Sequence, residues 1–140
     1  MKKFSSSVVI SAPPEAVFSL INNIEEWPRW IPSIKRIEKC SNGPLGVGSQ
    51  ISVTAKSGIT ITLFMTVIEF IPCQRVLMKG RVFGTGMRRY YNLEPVEGGT
   101  KLTAGGEVSG LLSCLVCRGG KRVSDDIVQA IKRKIEVSSV

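Results

Sequence analysis

The feature that most constrains the fold is a run of alternating segments between residues 34 and 108, joined only by turns. Glycine or proline marks each turn, and no connection is long enough for the crossover helix that parallel neighbours require. The pattern predicts six consecutive antiparallel strands. They are IKRIEKC, SQISVTAK, ITITLFMTVIEFI, RVLMKGRVF, MRRYYNLEP and TKLTAGGEV.

A strand and a short helix are expected before this run. The segment KFSSSVVIS, residues 3–11, is rich in β-branched residues and ends at two prolines, which cannot continue a ladder. Pro14 suits a first helical turn, and apolar residues then recur at helical spacing for about ten to twelve residues. The segment EEWPRWIP interrupts that helix.

The C-terminal part of the chain returns to helical spacing, with one apolar stripe at Leu112, Val116, Val123, Ile127, Ala130 and Ile131. Gly119 and Gly120 leave two interpretations open, since each costs up to about 1 kcal/mol inside a helix. Either one long helix runs through both glycines, or RGGKRV is a break. In the second case Ser124 caps a new helix that starts at Asp125.

Composition predicts one globular domain over residues 1–140. The chain is 43% hydrophobic and 21% charged, close to globular averages. Serines and prolines interrupt the apolar N-terminal segment, which argues against export, and the stretch GITITLFMTVIEFI is too short to span a bilayer. No stable membrane insertion is expected, and a cytoplasmic location follows loosely from cysteines taken as reduced.

The net charge of +8 raises the question of an acidic partner. The basic groups are scattered, the densest being RR at 88–89, CRGGKR at 117–122 and KRK at 132–134, and none interleaves with aromatic residues as in a single-strand binder. A solvated basic surface is therefore predicted rather than a nucleic-acid interface.

The spacing of Cys114 and Cys117 is that of zinc ribbons and redox motifs. A zinc site would need a second such pair or histidines, but Cys40 and Cys73 stand alone and the chain has no histidine. No metal and no other cofactor is expected. The cysteines are interpreted as small apolar residues, with the redox state of the pair left open.

Three segments resemble the START-like superfamily, which includes polyketide cyclase/dehydrase-like proteins and the birch pollen allergen fold. They are ISAPPEAVFSLINNIEEWPRWIPSIKRIE at 10–38, VIEFIPCQRV at 67–76, and YYNLEPVEGGTKLT at 90–103 followed by VSGLL at 108–112. The resemblance implies an α+β helix-grip fold, in which a curved seven-stranded antiparallel sheet wraps around a long C-terminal helix. It also implies a largely apolar cavity between the two.

The resemblance also assigns the WPRWIP segment to a second short helix that closes one end of the cavity. Trp30 is then expected to contact the cavity, and Trp27 less so. Both tryptophans could instead only seal the core. On the helix, Leu112 and Val116 face the cavity, and Gly119 is expected to widen it.

Period-two alternation selects the other candidate lining residues. Met78 points inward with Val76 and Val82, while Arg89 and Tyr91 point inward on the next strand. The long fourth strand is apolar on both faces, and Phe64 is chosen there. A buried Arg89 would need a carboxylate partner, such as Glu69 or Glu107, or an anionic ligand, unless it extends to solvent.

The expected function is the binding of a small hydrophobic molecule, such as a lipid or polyketide, by a monomer or homodimer. No catalytic residue is assigned, since the chain lacks the histidine that the common nucleophile pairs use. The alternative is a metal-free polyketide cyclase or dehydratase in which Arg89, Tyr91 or Glu69 acts as acid or base. A third possibility is a partner-binding module with an exposed apolar patch and a filled interior.

Overall fold

A computed structural model of the protein describes residues 2–82, 84–110 and 112–138. The elements follow the predicted order of one strand, two short helices, six strands and one long helix. They are β1 (Lys2–Ile10), α1 (Pro14–Asn22), a 3-10 helix (Ile24–Arg29), β2 (Ile34–Lys39), β3 (Gln50–Ser57), β4 (Ile59–Ile71), β5 (Arg75–Val82), β6 (Thr85–Val96), β7 (Gly99–Ser109) and α2 (Ser113–Ser138).

The strands form one antiparallel sheet in the order β1-β7-β6-β5-β4-β3-β2. Strands β2 to β7 pair with their neighbours in sequence, as the short turns predict. Strand β1 lies at one edge of the sheet and pairs with β7 along its whole length, from Lys2 opposite Val108 to Ile10 opposite Thr100. The curved sheet wraps around α2, which contacts β1, β7 and β3. The predicted α+β helix-grip fold is confirmed.

Each of the two N-terminal helices contains a proline, as the sequence predicts. Pro14 occupies the first turn of α1, where its missing N–H costs nothing, and Glu15 complements the helix N-terminus. The 3-10 helix that follows contains Pro28 and ends just before Trp30. These two short helices connect β1 to β2 across one end of the sheet.

Helix α2 is continuous through Gly119 and Gly120, so the interpretation with a break at RGGKRV is wrong. Ser124 is therefore not a helix cap. Asp125 and Asp126 lie inside the helix rather than at the start of a new one. Asp126 accepts a hydrogen bond from the Ser33 N–H at 2.8 Å and so ties the helix to the segment before β2.

Asp125 is held by its own helix and by β1. Partial burial raises the pKa of Asp125, but hydrogen bonds from Lys121 and Ser6 outweigh that effect and leave the pKa below its ordinary value. The Lys121 Nζ lies 2.7 Å from the carboxylate. The Asp125 carboxylate is therefore paired with Lys121 and Ser6 at the surface of α2.

Two glycines let α2 approach the sheet closely around Phe4. A Cβ added at Gly120 would lie 2.6 Å from the Phe4 Cζ, and one added at Gly106 of β7 would lie 2.8 Å from the same atom. Side chains at these positions would collide with the ring, so both glycines are required by packing. Phe4 is consequently clamped between β7 and α2.

The sheet alternation predicted for β5 and β6 is confirmed. One face is buried, including Arg89, and the other carries residues such as the exposed Arg88. The buried set is Val76, Met78, Val82, Thr85, Met87, Arg89, Tyr91 and Leu93. No helix within the described ranges is long and apolar enough to cross a membrane.

Candidate functional site

A cavity of about 230 Å³ lies between the concave face of the sheet and α2. Residues from the 3-10 helix, from β2 to β6 and from α2 contribute to its walls, and most of them are apolar. The lining residues are Ile24, Trp27, Ile34, Ile37, Val53, Ala55, Ile61, Leu63, Met65, Met78, Met87, Arg89, Tyr91, Leu115, Val116, Arg118, Gly119, Gly120, Arg122, Val123 and Ile127.

The structure decides which face of β4 points inward. Leu63 and Met65 are buried and line the cavity, whereas Phe64 is 69% exposed on the outer face. The expectation that Phe64 faces the cavity is therefore wrong. Phe64 stands in register with Arg81 of β5, and it shares the outer face of β4 with Thr62 and Thr66.

Of the two tryptophans, Trp27 lines the cavity and Trp30 does not, which reverses the expected ranking. Trp27 is 1% exposed, donates a hydrogen bond from Nε1 to the Leu20 carbonyl oxygen at 2.8 Å, and packs edge-on against Tyr91 with ring centroids 5.6 Å apart. Trp30 lies past the end of the 3-10 helix, half-buried, with the Lys134 Nζ 5.8 Å from its ring centroid. Trp27 is thus the tryptophan of the cavity wall.

Helix α2 supplies the opposite wall. Val116 and Gly119 line the cavity as expected from the apolar stripe. Leu112 does not line it and is 41% exposed, because α2 begins only at Ser113 and Leu112 lies outside the helical stripe. Leu115 takes its place in the lining, although it is itself largely exposed.

Gly119 leaves open space where a side chain would stand. A Cβ added there would meet no heavy atom within 4 Å, in contrast to the crowded position 120 next to it. The interpretation of Gly119 as a helix break is wrong, since α2 is continuous. Its position on the cavity wall fits the expectation that the missing side chain enlarges the space beneath the helix.

Arg89 is the buried charge of the cavity, with 8% of its surface exposed. Its Nε donates to the Tyr91 Oη at 2.9 Å and its Nη2 donates to the Ser124 Oγ at 2.8 Å. The guanidinium carbon also lies 5.8 Å from the Phe4 ring centroid and 5.6 Å from that of Tyr91. These contacts fix the guanidinium group in place.

Neither carboxylate suggested as a partner for Arg89 pairs with it. Glu69 forms an ion pair with Arg75 at 3.4 Å, and Glu107 forms one with Lys3 at 3.8 Å. The ion pairs found among residues 2–82, 84–110 and 112–138 do not include Arg89. Arg89 also does not extend to solvent, because it is buried.

Two further arginines, Arg118 and Arg122, line the cavity from the exposed side of α2. The lining residues include no aspartate or glutamate among those that the structure describes. The charged groups around the cavity are thus arginines from β6 and α2.

The cysteines lie apart from the cavity wall. The Cys117 thiol donates to the Lys3 carbonyl oxygen at 3.5 Å, and Cys114 is exposed. Within the described ranges, histidine, cysteine, aspartate and glutamate side chains form no group of three or more that could hold a metal ion.

Several residues of the site were missed by sequence reasoning. The threonines of β4 mark its outer face and could have identified its inward set. Ser124 was interpreted only as a possible cap, although it accepts a hydrogen bond from Arg89. Arg118 and Arg122 fall mostly off the apolar stripe, but both reach the cavity. The inward alternation of β6 did select Arg89 and Tyr91.

Comparison with known proteins agrees with this architecture. The aromatase/cyclase Zhui from Streptomyces sp. R1128 superposes with a TM-score of 0.82 at 12% identity, covering 99% of this chain and 96% of that one. A START superfamily protein from Mycobacterium smegmatis superposes with a TM-score of 0.78 at 16% identity, covering 97% and 98%. Ara h 8.0201 gives a TM-score of 0.76 at 20% identity, also covering 97% and 98%.

At these identities the superpositions show the shared fold. No curated protein matches the chain in sequence. A family profile described as polyketide cyclase / dehydrase and lipid transport matches residues 1–136. The chain therefore belongs to the polyketide cyclase/dehydrase and lipid transport family.

Proposed function

We propose that the protein binds one small, mainly apolar molecule in the cavity between the sheet and α2. The observation that carries this proposal is a hollow of about 230 Å³ where a helix-grip fold could have had a filled core. Protein interiors otherwise pack to near-crystalline density with few voids larger than a water molecule. Apolar walls of this kind favour transfer of an apolar ligand out of water.

The volume sets the size of the ligand. An apolar cavity of roughly 150 Å³ holds benzene, and pockets for drug-sized ligands run from about 300 to 1,000 Å³. At about 230 Å³ the cavity lies between these cases. The cavity suits a molecule with one or two rings or a short chain. A longer chain would have to extend past Leu115, which lines the cavity and is largely exposed.

The side chains proposed to contact the ligand are those that line the cavity near its closed end and under α2. Met78, Tyr91 and Trp27 offer apolar or aromatic surface, and Val116 and Gly119 form the roof. Arg89 supplies the buried polar group that orients the ligand. The ligand would exchange without any covalent step, as in a carrier or sensor.

Native mass spectrometry of the protein as purified tests this proposal. We expect a complex that carries one small organic molecule, which is lost when the protein is denatured. The matched control is Gly119→Leu, whose side chain grows into the open space beneath α2 and displaces about three carbon atoms of ligand. At about 0.8 kcal/mol per buried CH₂, binding weakens roughly 50-fold.

A wild-type protein that shows only its own mass, and that also fails to bind an apolar fluorescent probe, would contradict the proposal. Equal retention of the molecule by Gly119→Leu would place it elsewhere on the surface.

A second candidate function is a cyclase or dehydratase reaction in the same cavity. It is favoured by the contact between the Arg89 Nε and the Tyr91 Oη, which places a cation and a phenol side by side on the wall. Such a pair could polarise a ligand carbonyl and exchange a proton with it. Turnover of a poly-β-ketone by the wild type, lost in Tyr91→Phe with binding retained, would establish the enzyme.

A further inference from the structure

The guanidinium group of Arg89 has unused donors. It carries five N–H groups, of which one bonds to the Tyr91 Oη and one to the Ser124 Oγ. Three donors therefore have no partner among the residues that the structure describes. Because Arg89 lines the cavity, these donors are available to a bound molecule.

The contacts that Arg89 does make are all to neutral groups. Removing a cation from water costs several kcal/mol even after relaxation, whereas a desolvated cation–π contact returns roughly 2 kcal/mol and a hydrogen bond to a neutral group about 1 kcal/mol. A buried guanidinium group normally has a carboxylate or phosphate partner. The described contacts of this charge are two aromatic rings and two hydroxyl groups.

The surroundings do not supply the missing anion. Glu69, Glu107 and Asp125 pair with other cations. The two other charged residues of the lining, Arg118 and Arg122, have the same sign as Arg89. The potential inside the cavity is therefore positive, and an anionic group entering it completes the pairing of Arg89.

We propose that the ligand is a small amphipathic carboxylic acid, bound as its carboxylate, with that group on Arg89 and its apolar body against Met78 and Val116. The inference rests on the proposed function and adds the chemical class of the ligand. A carboxylate is planar and accepts two parallel N–H bonds, which matches the free end of a guanidinium group. Neutral lipids and ketones would leave the charge of Arg89 unpaired.

Isothermal titration calorimetry with two probes of the same shape tests this class. The probes are 2-naphthoate and its neutral amide, 2-naphthamide. We expect the wild type to bind the acid at least about tenfold more tightly than the amide, because hydrogen bonds to a charged group are roughly twice as strong as neutral ones. Arg89→Met should abolish this preference.

Arg88→Met is the matched control, since Arg88 is the next residue and lies exposed on the outer face of the same strand. It should keep the wild-type preference. A titration at about 1 M salt separates Arg89 from the exposed arginines, because the Debye length there is only about 3 Å and a buried pair is screened little. The preference for the acid should persist.

Each other result overturns the inference in a distinct way. Equal binding of acid and amide by the wild type would refute the carboxylate class and leave the proposed function standing. Binding of neither probe would refute both. A preference for the acid that survives in Arg89→Met, or that disappears at high salt, would show that the exposed arginines cause it. If Arg89→Met does not fold, the ratio of acid affinity to amide affinity of the wild type at high salt still decides whether a buried cation binds the carboxylate.

Discussion

Replacing Trp27 with alanine is expected to lower the free energy of unfolding by about 3 to 5 kcal/mol, the range for removing a buried aromatic side chain. Trp27 is 1% exposed. The substitution removes both its hydrogen bond to the Leu20 carbonyl oxygen and its edge contact with Tyr91. The variant should show this loss in urea denaturation followed by circular dichroism. Part of this loss of stability is the cost of a larger cavity, which the surrounding residues cannot close.

The control is Trp30→Ala, three residues away. Trp30 is half-buried at the end of the 3-10 helix, so its removal should cost about 1 kcal/mol or less. Similar losses for both variants would show that the two tryptophans seal the core equally. The account of Trp27 as the tryptophan of the cavity wall would then fail.

The adjacent glycines of α2 should respond to the same substitution with opposite signs. Gly119→Ala should raise the free energy of unfolding by up to about 1 kcal/mol, because alanine is the better helix former and its Cβ meets nothing within 4 Å. Gly120→Ala should lower it by up to about 2 kcal/mol, because overpacking against the Phe4 ring outweighs the same helix gain.

Thermal and urea denaturation of the two alanine variants, side by side, measure this difference. Stabilisation by both substitutions would mean that Phe4 moves freely and that α2 does not rest on it. Destabilisation by both would mean that the space beneath Gly119 is filled.

Local signals were sufficient to predict the meander. Each turn carries glycine or proline, and short connections allow only antiparallel neighbours, so the order of β2 to β7 followed from the sequence. The inward faces of β5 and β6 also followed, because charged and apolar residues alternate there. In these strands one face is packed and the other is solvated, which is the condition under which alternation carries information.

On β4 the alternation was present, but Phe64 concealed it. Thr60, Thr62 and Thr66 mark the outer face of this strand, and Phe64 is the large apolar residue among them. The register also shifts between Val67 and Glu69, which disturbs the period of two along this strand. Thr62 and Thr66, two residues before and two residues after Phe64, indicate its outward direction.

The tryptophans show the limit of spacing arguments at an element end. Residues three apart in a 3-10 helix lie on the same side, which would place Trp27 and Trp30 together. The helix stops at Arg29, however, and Trp30 turns away as its C-terminal cap. Trp27 lies inside the helix and lines the cavity, whereas Trp30 lies just past its end and does not.

The environment of Arg89 depends on tertiary contacts between distant segments. Alternation placed the side chain inward, but its partners are Ser124 of α2, at 35 residues' separation, and the ring of Phe4 in β1. Local pattern carries no information about such pairs. Whether α2 was continuous also depended on tertiary packing, since Gly120 is accommodated by its contact with Phe4.

Contact quenching of single-tryptophan variants tests the central claim most directly. Trp30→Phe leaves Trp27 as the reporter, and Trp27→Phe leaves Trp30. Titration with 4-iodobenzoate, whose iodine quenches at contact range, should saturably quench Trp27 and leave Trp30 at its bulk quenching level. Saturable quenching of Trp30 alone, or of neither tryptophan, would contradict a ligand site between the sheet and α2.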